Sequence, residues 1–163
     1  GGGAILTNDR ELGKRAKHLT TTAKLPHRWS FAHDKLGYNY RLPNLNAALG
    51  CAQLEQLSSF LADKRQLYRR YNAAFAAVDG VHLVAEPAGC RSNYWLQTLL
   101  FDELLADQRD SVLTATNDAG LMTRPIWTLM NRLPMYAHAP RAPLPMAESL
   151  EQRVINIPSS SGL

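Results

Sequence analysis

The sequence lacks the motifs that identify the commonest enzyme classes. Its two cysteines and five histidines are scattered without the spacing of a metal site. Gly-x-Ser-x-Gly, His-Glu-x-x-His, Gly-x-Gly-x-x-Gly and Walker-type phosphate loops are all missing. These absences argue against an α/β-hydrolase, a zinc protease, a Rossmann dehydrogenase and a P-loop nucleotidase. We predict no metal ion and no catalytic residue in this chain.

Long hydrophobic runs are missing as well. No uncharged run reaches the roughly 20 apolar residues that cross a bilayer, and no segment has the pattern of a secretory leader. Two cysteines are too few for a disulfide-stabilised secreted domain. We therefore expect no membrane association and a cytoplasmic location. Cys51 lies among Ala and Leu residues, which predicts a buried thiol.

The charge is mildly basic but not concentrated. Eighteen basic and fourteen acidic residues give a net charge of +4, with no run of five like charges. This pattern does not favour a nucleic-acid partner. A basic balance suits an anionic ligand such as a phosphate or a nucleotide sugar equally well, and composition does not choose between these ligands.

The hydrophobic patterns predict an α+β fold, with a small antiparallel or mixed sheet covered by helices. "AILTN" predicts a short strand over residues 4–6, followed by a helix capped by Asn8 or Asp9. Residues 20–37 have no regular period and predict a long loop, which its aromatic residues suggest is ordered.

A long helix is predicted over residues 45–78. Apolar residues recur there at steps of three and four, between Pro43 and Gly80. A helix of that length would measure about 50 Å, which is more than a small domain needs, so we expect it to connect two parts of the protein. Gly50 offers a place for a bend.

The long helix separates residues 1–44 from residues 79–163, and the latter predict a small α+β domain. In the latter, "NYWLQTLLF" is apolar on both faces and predicts a central strand. "LMTRPIW" contains Pro125 and predicts an edge strand. "VHLVAE" and "VINIP" predict two more strands, and "DQRDSVLTATNDAG" and "MAESLEQR" predict helices.

Residues 37–50, "GYNYRLPNLNAALG", carry more polar groups than a helix start needs, because Asn44 alone could cap the predicted helix. The Asn39 amide and the Arg41 guanidinium are donors suited to phosphate oxygens, and the adjoining helix N-terminus adds partial positive charge. The alternative is a structural loop in which Asn39 satisfies backbone groups. The residues alone leave both open.

Two further clusters are weaker. The aromatic residues of "SNYWLQTLL" form either part of the core, which is the commoner outcome, or a stacking wall. "TRPIWTLMNRLPMY" gathers polar and aromatic groups after a strand end, where ligands often bind. Its candidate residues are Arg124, Trp127, Asn131 and Tyr136.

Taken in order, five stretches resemble the second half of the DegT/StrS-type aminotransferases, which are fold-type I, pyridoxal-phosphate enzymes acting on nucleotide-linked keto sugars. The resemblance spans essentially the whole chain. It implies that residues 1–44 are the tail of the large domain of such an enzyme and carry its cofactor and substrate loop, and that residues 79–163 are its small domain. The five stretches are "GGGAILTNDRELGKRAKHL", "GYNYRLPNLNAALGCAQLEQL", "RSNYWLQTLL", "MTRPIWTLMNRLPMY" and "RVINIPSS".

The resemblance implies roles for the loop. The segment matching residues 37–42 reaches across a homodimer in this family, and the asparagine matching Asn39 donates to the cofactor phosphate of the other subunit. The neighbouring positions, here Tyr40 and Arg41, line the shared cleft. The implied substrate-binding residues are Tyr40, Arg41, Arg124, Trp127, Asn131 and Tyr136.

The resemblance also implies a missing lysine. The family holds its cofactor on a lysine shortly before a glycine run, and all five lysines of this chain come after the run at residues 1–3. We therefore expect the chain alone to be inactive and to bind no cofactor. It is either the C-terminal portion of an enzyme that aminates a 4-keto-6-deoxy nucleotide sugar for surface polysaccharides, or a stand-alone, non-catalytic assembly module. In either case we expect self-association through Leu45, Leu49, Leu57 and Phe60.

Overall fold

The computed structural model describes residues 1–163 and divides them into two compact units. We call residues 1–56 the N-terminal unit and residues 57–163 the C-terminal unit. These units differ from the predicted three-part division at residues 44 and 78. None of the helices has the length and apolar character needed to cross a membrane. The helices are α1 (Arg10–Thr20), α2 (Asn44–Glu55), α3 (Leu57–Phe75), α4 (Arg109–Asp118) and α5 (Pro145–Arg153), and the strands are β1 (Val81–Leu83), β2 (Gln97–Phe101), β3 (Arg124–Pro125) and β4 (Val154–Ile157).

Helix α1 begins at a side-chain cap. The Asp9 carboxylate accepts from the backbone N–H groups of Glu11 and Leu12 at 2.9 and 3.1 Å, which satisfies two donors that the first turn leaves free. The strand predicted over residues 4–6 is absent. Ile5 and Leu6 are exposed and no strand lies beside them, so the segment has no partner for its backbone groups.

The long loop after α1 is ordered by backbone hydrogen bonds. The N–H groups of Thr22, Tyr38 and Tyr40 bond to carbonyls across the loop at 2.7–3.0 Å. Gly37 permits this close approach, because a Cβ there would lie 2.6 Å from the backbone nitrogen of Ala23. A ring nitrogen of His18 lies 2.6 Å from the Asp34 carboxylate, and this contact lowers the pKa of Asp34.

The predicted helix over residues 45–78 is two helices, which corrects the expectation of one long helix. Helix α2 ends at Glu55, Gln56 forms a turn, and α3 begins at Leu57. The break is therefore not at Gly50. The two helices differ in packing: α2 buries no residue, whereas α3 buries Leu67. Helix α2 carries apolar residues on all sides, whereas α3 has one buried face. No single face of α2 therefore continues the buried face of α3.

Cys51 is exposed, and the prediction of a buried thiol is wrong. Its helix, α2, has no buried side chain at all, so the apolar neighbours of Cys51 give it no cover. The same helix exposes Leu45 and Leu49, and α3 exposes Leu57, as the self-association hypothesis requires. Phe60 is partly buried.

The C-terminal unit contains a four-stranded antiparallel sheet in the order β1-β2-β4-β3. This confirms the α+β fold, the central position of "QTLLF" and the edge position of Pro125. In β2 every second residue is buried, starting at Gln97. The core is formed by Leu99, Phe101, Ile155 and Ile157, with Tyr71 and Phe75 of α3 packed against it. Loss of this apolar surface from water is the main stabilising contribution to the unit.

Candidate functional site

In the N-terminal unit the Asn39 side chain is held by Arg41. One guanidinium nitrogen of Arg41 donates to Asn39 Oδ1 at 3.0 Å, and the other donates to the carbonyl of Thr21 at 3.1 Å. Thr21 and Asn39 also form an isolated antiparallel bridge. A guanidinium only donates, so the amide atom that faces it is the oxygen. The Asn39 amide therefore has a fixed orientation.

This orientation leaves the Asn39 Nδ2 group free. Asn39 is exposed, and its NH₂ group has no hydrogen-bond partner in the structure. The side chain thus does not satisfy a backbone group, which was the structural alternative for this residue. A fixed amide donor that faces solvent can bind an anionic oxygen with little loss of side-chain entropy.

Tyr40 and Arg41 line a cavity of the N-terminal unit with a volume of about 680 Å³. The glycines at residues 1–3 and the side chain of Lys17 also line it, and Asn39 does not. Tyr40 is stacked on Tyr38, with ring centroids 5.3 Å apart. The structure therefore brings two of the predicted site residues together and leaves Asn39 just outside their cavity.

Helix α2 begins without a side-chain cap. Asn44 is its first residue, and the cap position is occupied by Pro43, which offers no side-chain acceptor. The suggestion that Asn44 could cap this helix is therefore wrong. The Asn46 amide instead donates to the carbonyl of Gly1 at 2.6 Å. The first N–H groups of α2 keep their partial positive charge.

A second cavity, of about 830 Å³, lies within the C-terminal unit. It is lined by Arg124 and Trp127, as predicted, and also by Trp95. We call it the tryptophan cavity, because Trp95 and Trp127 are stacked with centroids 6.3 Å apart and planes inclined by 29°. The two rings are 65% and 66% exposed, so they form an open aromatic wall.

The aromatic residues of "SNYWLQTLL" take both of the roles that the sequence left open. Tyr94 belongs to the interior: it is buried, and its ring is stacked on Tyr68 at 4.6 Å. Trp95, the next residue, lines the tryptophan cavity. Tyr94 has a positive φ of 47°, a conformation uncommon outside glycine. With this backbone conformation the Tyr94 ring lies in the interior and the neighbouring Trp95 ring lies in the cavity wall.

An ion pair holds the segment before Trp95. The Arg65 guanidinium donates to both carboxylate oxygens of Glu86, at 3.4 and 2.8 Å, and to the carbonyl of Ser92 at 2.8 Å. Glu86 in turn accepts from the N–H of Ser92. The Arg65 contact lowers the pKa of Glu86, and the Glu86 contact raises the pKa of Arg65. Nothing in the sequence signalled this pair, whose members are 21 residues apart.

Lys64 holds the backbone of Trp95 by a hydrogen bond. Its ammonium group donates to the carbonyls of Trp95, at 3.0 Å, and of Ser159. The buried Gln97 adds two bonds, from its N–H to Ser159 Oγ at 2.7 Å and from its amide to the carbonyl of Lys64 at 3.2 Å. Partial burial lowers the pKa of Lys64. Sequence inspection missed this network, because a lone lysine in a helix is most often solvated.

Asn131 and Tyr136 line neither of these two cavities. Their segment is fixed from α5 by Glu151, whose carboxylate accepts from the N–H of Leu129 at 2.9 Å and pairs with Arg132 at 2.7 Å. Tyr136 lies in a short 3₁₀ turn. The structure therefore does not place these two predicted residues in the cavity that Arg124 and Trp127 line.

Comparison with known proteins places these features in a family. The model of the DegT/DnrJ/EryC1/StrS aminotransferase family matches residues 1–163. GDP-perosamine synthase of Escherichia coli O157:H7 is 34% identical over 162 residues, which are 99% of this chain and 43% of that protein. The putative pyridoxal phosphate-dependent aminotransferase EpsN of Bacillus subtilis is 31% identical over 169 residues, covering 100% of this chain and 42% of EpsN.

The fold agrees with this assignment. The crystal structure of the aminotransferase TlmJ from Streptoalloteichus hindustanus superposes with a TM-score of 0.83 at 26% identity, over 96% of this chain and 41% of TlmJ. The chain thus spans about two fifths of the length of the relatives that it matches. Because the family match covers the whole chain, this protein belongs to the DegT/DnrJ/EryC1/StrS aminotransferase family.

Proposed function

We propose that this chain is the C-terminal portion of a pyridoxal-phosphate aminotransferase that aminates a nucleotide-linked 4-keto-6-deoxy sugar for surface polysaccharide biosynthesis. The family consists of aminotransferases, and a GDP-perosamine synthase is among the relatives. The chain covers 43% of that relative, so the proposed activity would be that of a longer protein that includes these residues.

The observation that carries the proposal is the fixed amide of Asn39. Arg41 binds its oxygen and leaves its NH₂ group as an unpartnered, exposed donor. Such a donor fits a phosphate oxygen, because hydrogen bonds to charged acceptors are about twice as strong as neutral ones. Asn39 would hold the phosphate of the cofactor, and Arg41 would orient Asn39. Pyridoxal phosphate, when bound, supplies the electron sink for the amino-group transfer.

The chain supplies substrate contacts in this proposal. Tyr40 and Arg41 would line the cleft next to the cofactor, and Arg124 and Trp127 would bind the nucleotide sugar. Asn131 and Tyr136 enter the proposal only as parts of the segment that comes after Trp127. We also propose that the chain by itself binds no cofactor, because the resemblance implies a cofactor lysine before a glycine run and all five lysines here follow residues 1–3.

We further propose that Asn39 acts on the other subunit of a homodimer. Helix α2 exposes Leu45 and Leu49, which are four residues apart and share one face, and also Leu54. Exposed apolar surface on a helix without a packed partner commonly marks an interface. A second subunit would cover it. The alternative, a non-catalytic assembly module, would use the same apolar surface without any cofactor.

A chimera tests the activity. The part of the E. coli GDP-perosamine synthase that precedes its matched segment is fused to residues 1–163, and the purified protein is assayed for bound pyridoxal phosphate and for amination of a GDP-linked 4-keto-6-deoxy sugar. We expect both. A folded chimera that holds no cofactor, or that holds it and aminates no nucleotide-linked keto sugar, would overturn the proposal and favour the assembly module.

Variants of the chimera test the role of Asn39. Asn39→Ala removes one charge-assisted hydrogen bond and should weaken cofactor retention by on the order of ten- to a hundredfold. Asn72→Ala is the matched control, because Asn72 is also exposed and lines neither cavity. Equal retention by the two variants would contradict the phosphate role.

Complementation tests whether Asn39 crosses the dimer. The Asn39→Ala chimera is co-expressed with a chimera that lacks only the cofactor lysine. If Asn39 serves the other subunit, the mixed dimer has one cleft with both lesions and one with neither, and activity should partly return. A mixed dimer as inactive as either parent would mean that Asn39 serves its own subunit.

A further inference from the structure

The turn that follows helix α1 has an unusual backbone conformation. Thr22 and Ala23 have positive φ angles of 73° and 50°. Such angles are unfavourable for residues other than glycine, and most of all for a β-branched residue such as threonine. We call residues 21–23 the strained turn. Strained backbone persists only where neighbouring contacts fix it, and it occurs most often at functional sites. The contacts of the strained turn therefore indicate its role.

The first peptide unit of the strained turn, between Thr21 and Thr22, contacts Arg41. Its N–H, on Thr22, donates to the carbonyl of Tyr38 at 3.0 Å. Its carbonyl, on Thr21, accepts from the Arg41 guanidinium at 3.1 Å and from the Thr22 hydroxyl at 2.5 Å. The N–H and the carbonyl of one peptide unit lie in one plane. A change of the Thr22 φ angle to a negative value would rotate this plane relative to the chain that follows, and would turn the carbonyl away from Arg41.

The second peptide unit, between Thr22 and Ala23, is also bonded at both ends. Its N–H, on Ala23, donates to the carbonyl of His18 at 2.8 Å. Its carbonyl, on Thr22, lies 2.7 Å from Nδ1 of the His33 ring. A carbonyl only accepts, so Nδ1 of His33 carries the hydrogen and donates it. The His33 side chain thus fixes the second half of the strained turn.

His33 is itself placed by backbone contacts. It forms an isolated antiparallel bridge with Lys24. The next residue, Asp34, donates its N–H to the carbonyl of Ala23 at 3.3 Å, and its carboxylate lies 2.6 Å from a ring nitrogen of His18. His33 is exposed, so its ring does not fill a core. Its contact with the strained turn is therefore a hydrogen bond and not a consequence of packing.

We infer that His33 is a positioning residue for Asn39. His33 holds the strained turn, and the turn presents the Thr21 carbonyl to Arg41. Arg41, held at this carbonyl, binds Asn39 Oδ1 at 3.0 Å and leaves the NH₂ group to a ligand. This inference rests on the proposed function, in which Asn39 binds the cofactor phosphate. It deepens that function by adding a residue that acts through Arg41.

Nitrogen relaxation of the Asn39 side-chain amide tests the inference on the 163-residue chain without any cofactor. In the parent chain the amide should be ordered on the ps–ns timescale, with an order parameter near the rigid-backbone value of about 0.85. His33→Ala should lower the order parameter below about 0.6, the range of flexible groups. The amide shifts of α1 report whether the N-terminal unit of each variant stays folded.

Two conservative variants separate the hydrogen bond from the bulk of the ring. His33→Asn should keep the parent order parameter, because the asparagine NH₂ group can take the place of the histidine Nδ1 donor. His33→Gln should lower the order parameter as His33→Ala does, because its donor lies where Nε2 of the ring was. This variant keeps the size and polarity of the side chain, so it also serves if His33→Ala does not fold.

His27→Ala is the matched control. His27 is an exposed histidine of the same loop, and its Nδ1 accepts from the N–H groups of Trp29 and Ser30 at 3.3 and 2.9 Å. It therefore organises a different turn, and its removal should leave the Asn39 order parameter unchanged. A role of His33 in stability alone would lower the midpoint of thermal unfolding in His33→Gln without a change in the Asn39 order parameter.

The chimera links this order to the cofactor. His33→Gln in the chimera should weaken pyridoxal-phosphate retention by about two- to tenfold, because the Asn39 side chain must then be ordered on binding. The loss should be smaller than in Asn39→Ala, since the NH₂ group is still present. His33→Asn should retain the cofactor as the parent chimera does.

The inference and the proposed function fail separately. A flexible Asn39 amide in the parent chain, or an order parameter that His33→Gln leaves unchanged or that His27→Ala lowers equally, would overturn the inference even if the chimera is active. An order parameter that falls in His33→Gln and is kept in His33→Asn would support the inference. If the Asn39→Ala chimera then retained its cofactor as well as the Asn72→Ala control, only the phosphate role of Asn39 would be overturned.

Discussion

The two units of this chain are stabilised by different interactions. The C-terminal unit buries seven apolar side chains, most of them on β2 and β4, whereas the N-terminal unit buries only Ala23. The N-terminal unit relies on backbone bonds between α1 and the adjoining loop, on the Asp9 cap and on the Asn39–Arg41–Thr21 contacts. Hydrogen bonds contribute about 1 kcal/mol each after water is accounted for, so this unit is held less firmly than a packed core.

This difference matches the proposed division of roles. The C-terminal unit offers a rigid sheet on which Arg124 is fixed by strand register. The N-terminal unit offers a loop with an exposed donor and a helix with exposed leucines, which are features that a second subunit could complete. Binding groups on a packed sheet need no partner to be ordered, whereas groups on a loop with little core of its own gain order from a partner.

Truncation of apolar residues should give the largest difference between the two units in the free energy of unfolding. Ile155→Ala should lower the free energy of unfolding of the C-terminal unit by about 2–5 kcal/mol, because Ile155 is 1% exposed at the centre of the core and its truncation leaves a cavity. At a protein concentration low enough to keep the chain monomeric, Leu49→Ala in α2 should change stability by less than about 0.5 kcal/mol, since Leu49 is exposed in the single chain. Urea unfolding followed by Trp95 and Trp127 fluorescence, and by circular dichroism, measures both. Similar losses for the two variants would mean that α2 has a packed partner.

A smaller effect is expected from two glycines of the N-terminal unit. Gly37→Ala should cost about 1–3 kcal/mol, because the new Cβ would lie 2.6 Å from backbone atoms of Thr22 and Ala23. Gly50→Ala should be neutral or stabilise by up to about 1 kcal/mol, since it lies within α2 with no atom within 4 Å of the added carbon. Hydrogen exchange of the Tyr38 and Tyr40 amides should accelerate in the first variant only. Unchanged exchange in Gly37→Ala would show that the loop has room that the structure does not indicate.

The sequence predicted those features that depend on local pattern. The central position of β2 followed from its continuous apolar run, and the edge position of β3 followed from Pro125, which cannot donate to a ladder. Asn39 was selected by its resemblance to a family position and by its chemistry. The break at Gln56 could not be predicted, because glutamine is a good helix former and only tertiary packing distinguishes α2 from α3.

The unpredicted parts of the candidate site depend on distant pairs. Trp95 precedes β2 and Trp127 follows β3, so the two residues are far apart in the sequence, yet their ring centroids lie 6.3 Å apart in the folded chain. The contact of Arg41 with the carbonyl of Thr21 spans 20 residues. Periodicity reports which face of an element is apolar, but it carries no information on which strands become neighbours. The same limitation explains why Asn131 and Tyr136 were grouped with Arg124 although they line neither cavity.

A pH-dependent effect should appear in the C-terminal unit through Glu86. Its pKa in the folded protein is lowered from 4.5 by Arg65 and by the Ser92 N–H, so the ion pair stabilises the fold above the pKa of the unfolded chain. This contribution is lost as the pH falls through the lower pKa of the folded state. Glu86→Gln should therefore lower the urea midpoint at pH 7, and the difference from the parent protein should shrink from about pH 4.5 downwards. Glu103→Gln, at an exposed residue without an ion pair, is the control. A difference that stays constant down to about pH 2 would mean that the charge of Glu86 is not the source of stability in this segment.

The smallest effect on stability should come from the residue with the largest proposed functional effect. Asn39→Ala removes an exposed side chain whose NH₂ group bonds to nothing in the chain, and Arg41 keeps its bond to the Thr21 carbonyl. We expect the midpoint of thermal unfolding to change by no more than a degree or two, which corresponds to less than about 0.5 kcal/mol for an exposed site. Arg41→Ala should loosen the loop more, because it also frees the Thr21 carbonyl, and should accelerate amide exchange at Tyr38 and Tyr40. If Asn39→Ala destabilised the chain as much as Arg41→Ala, the amide would be a structural part of the loop. The NH₂ group of Asn39 would then serve the loop and would not be available to bind a ligand.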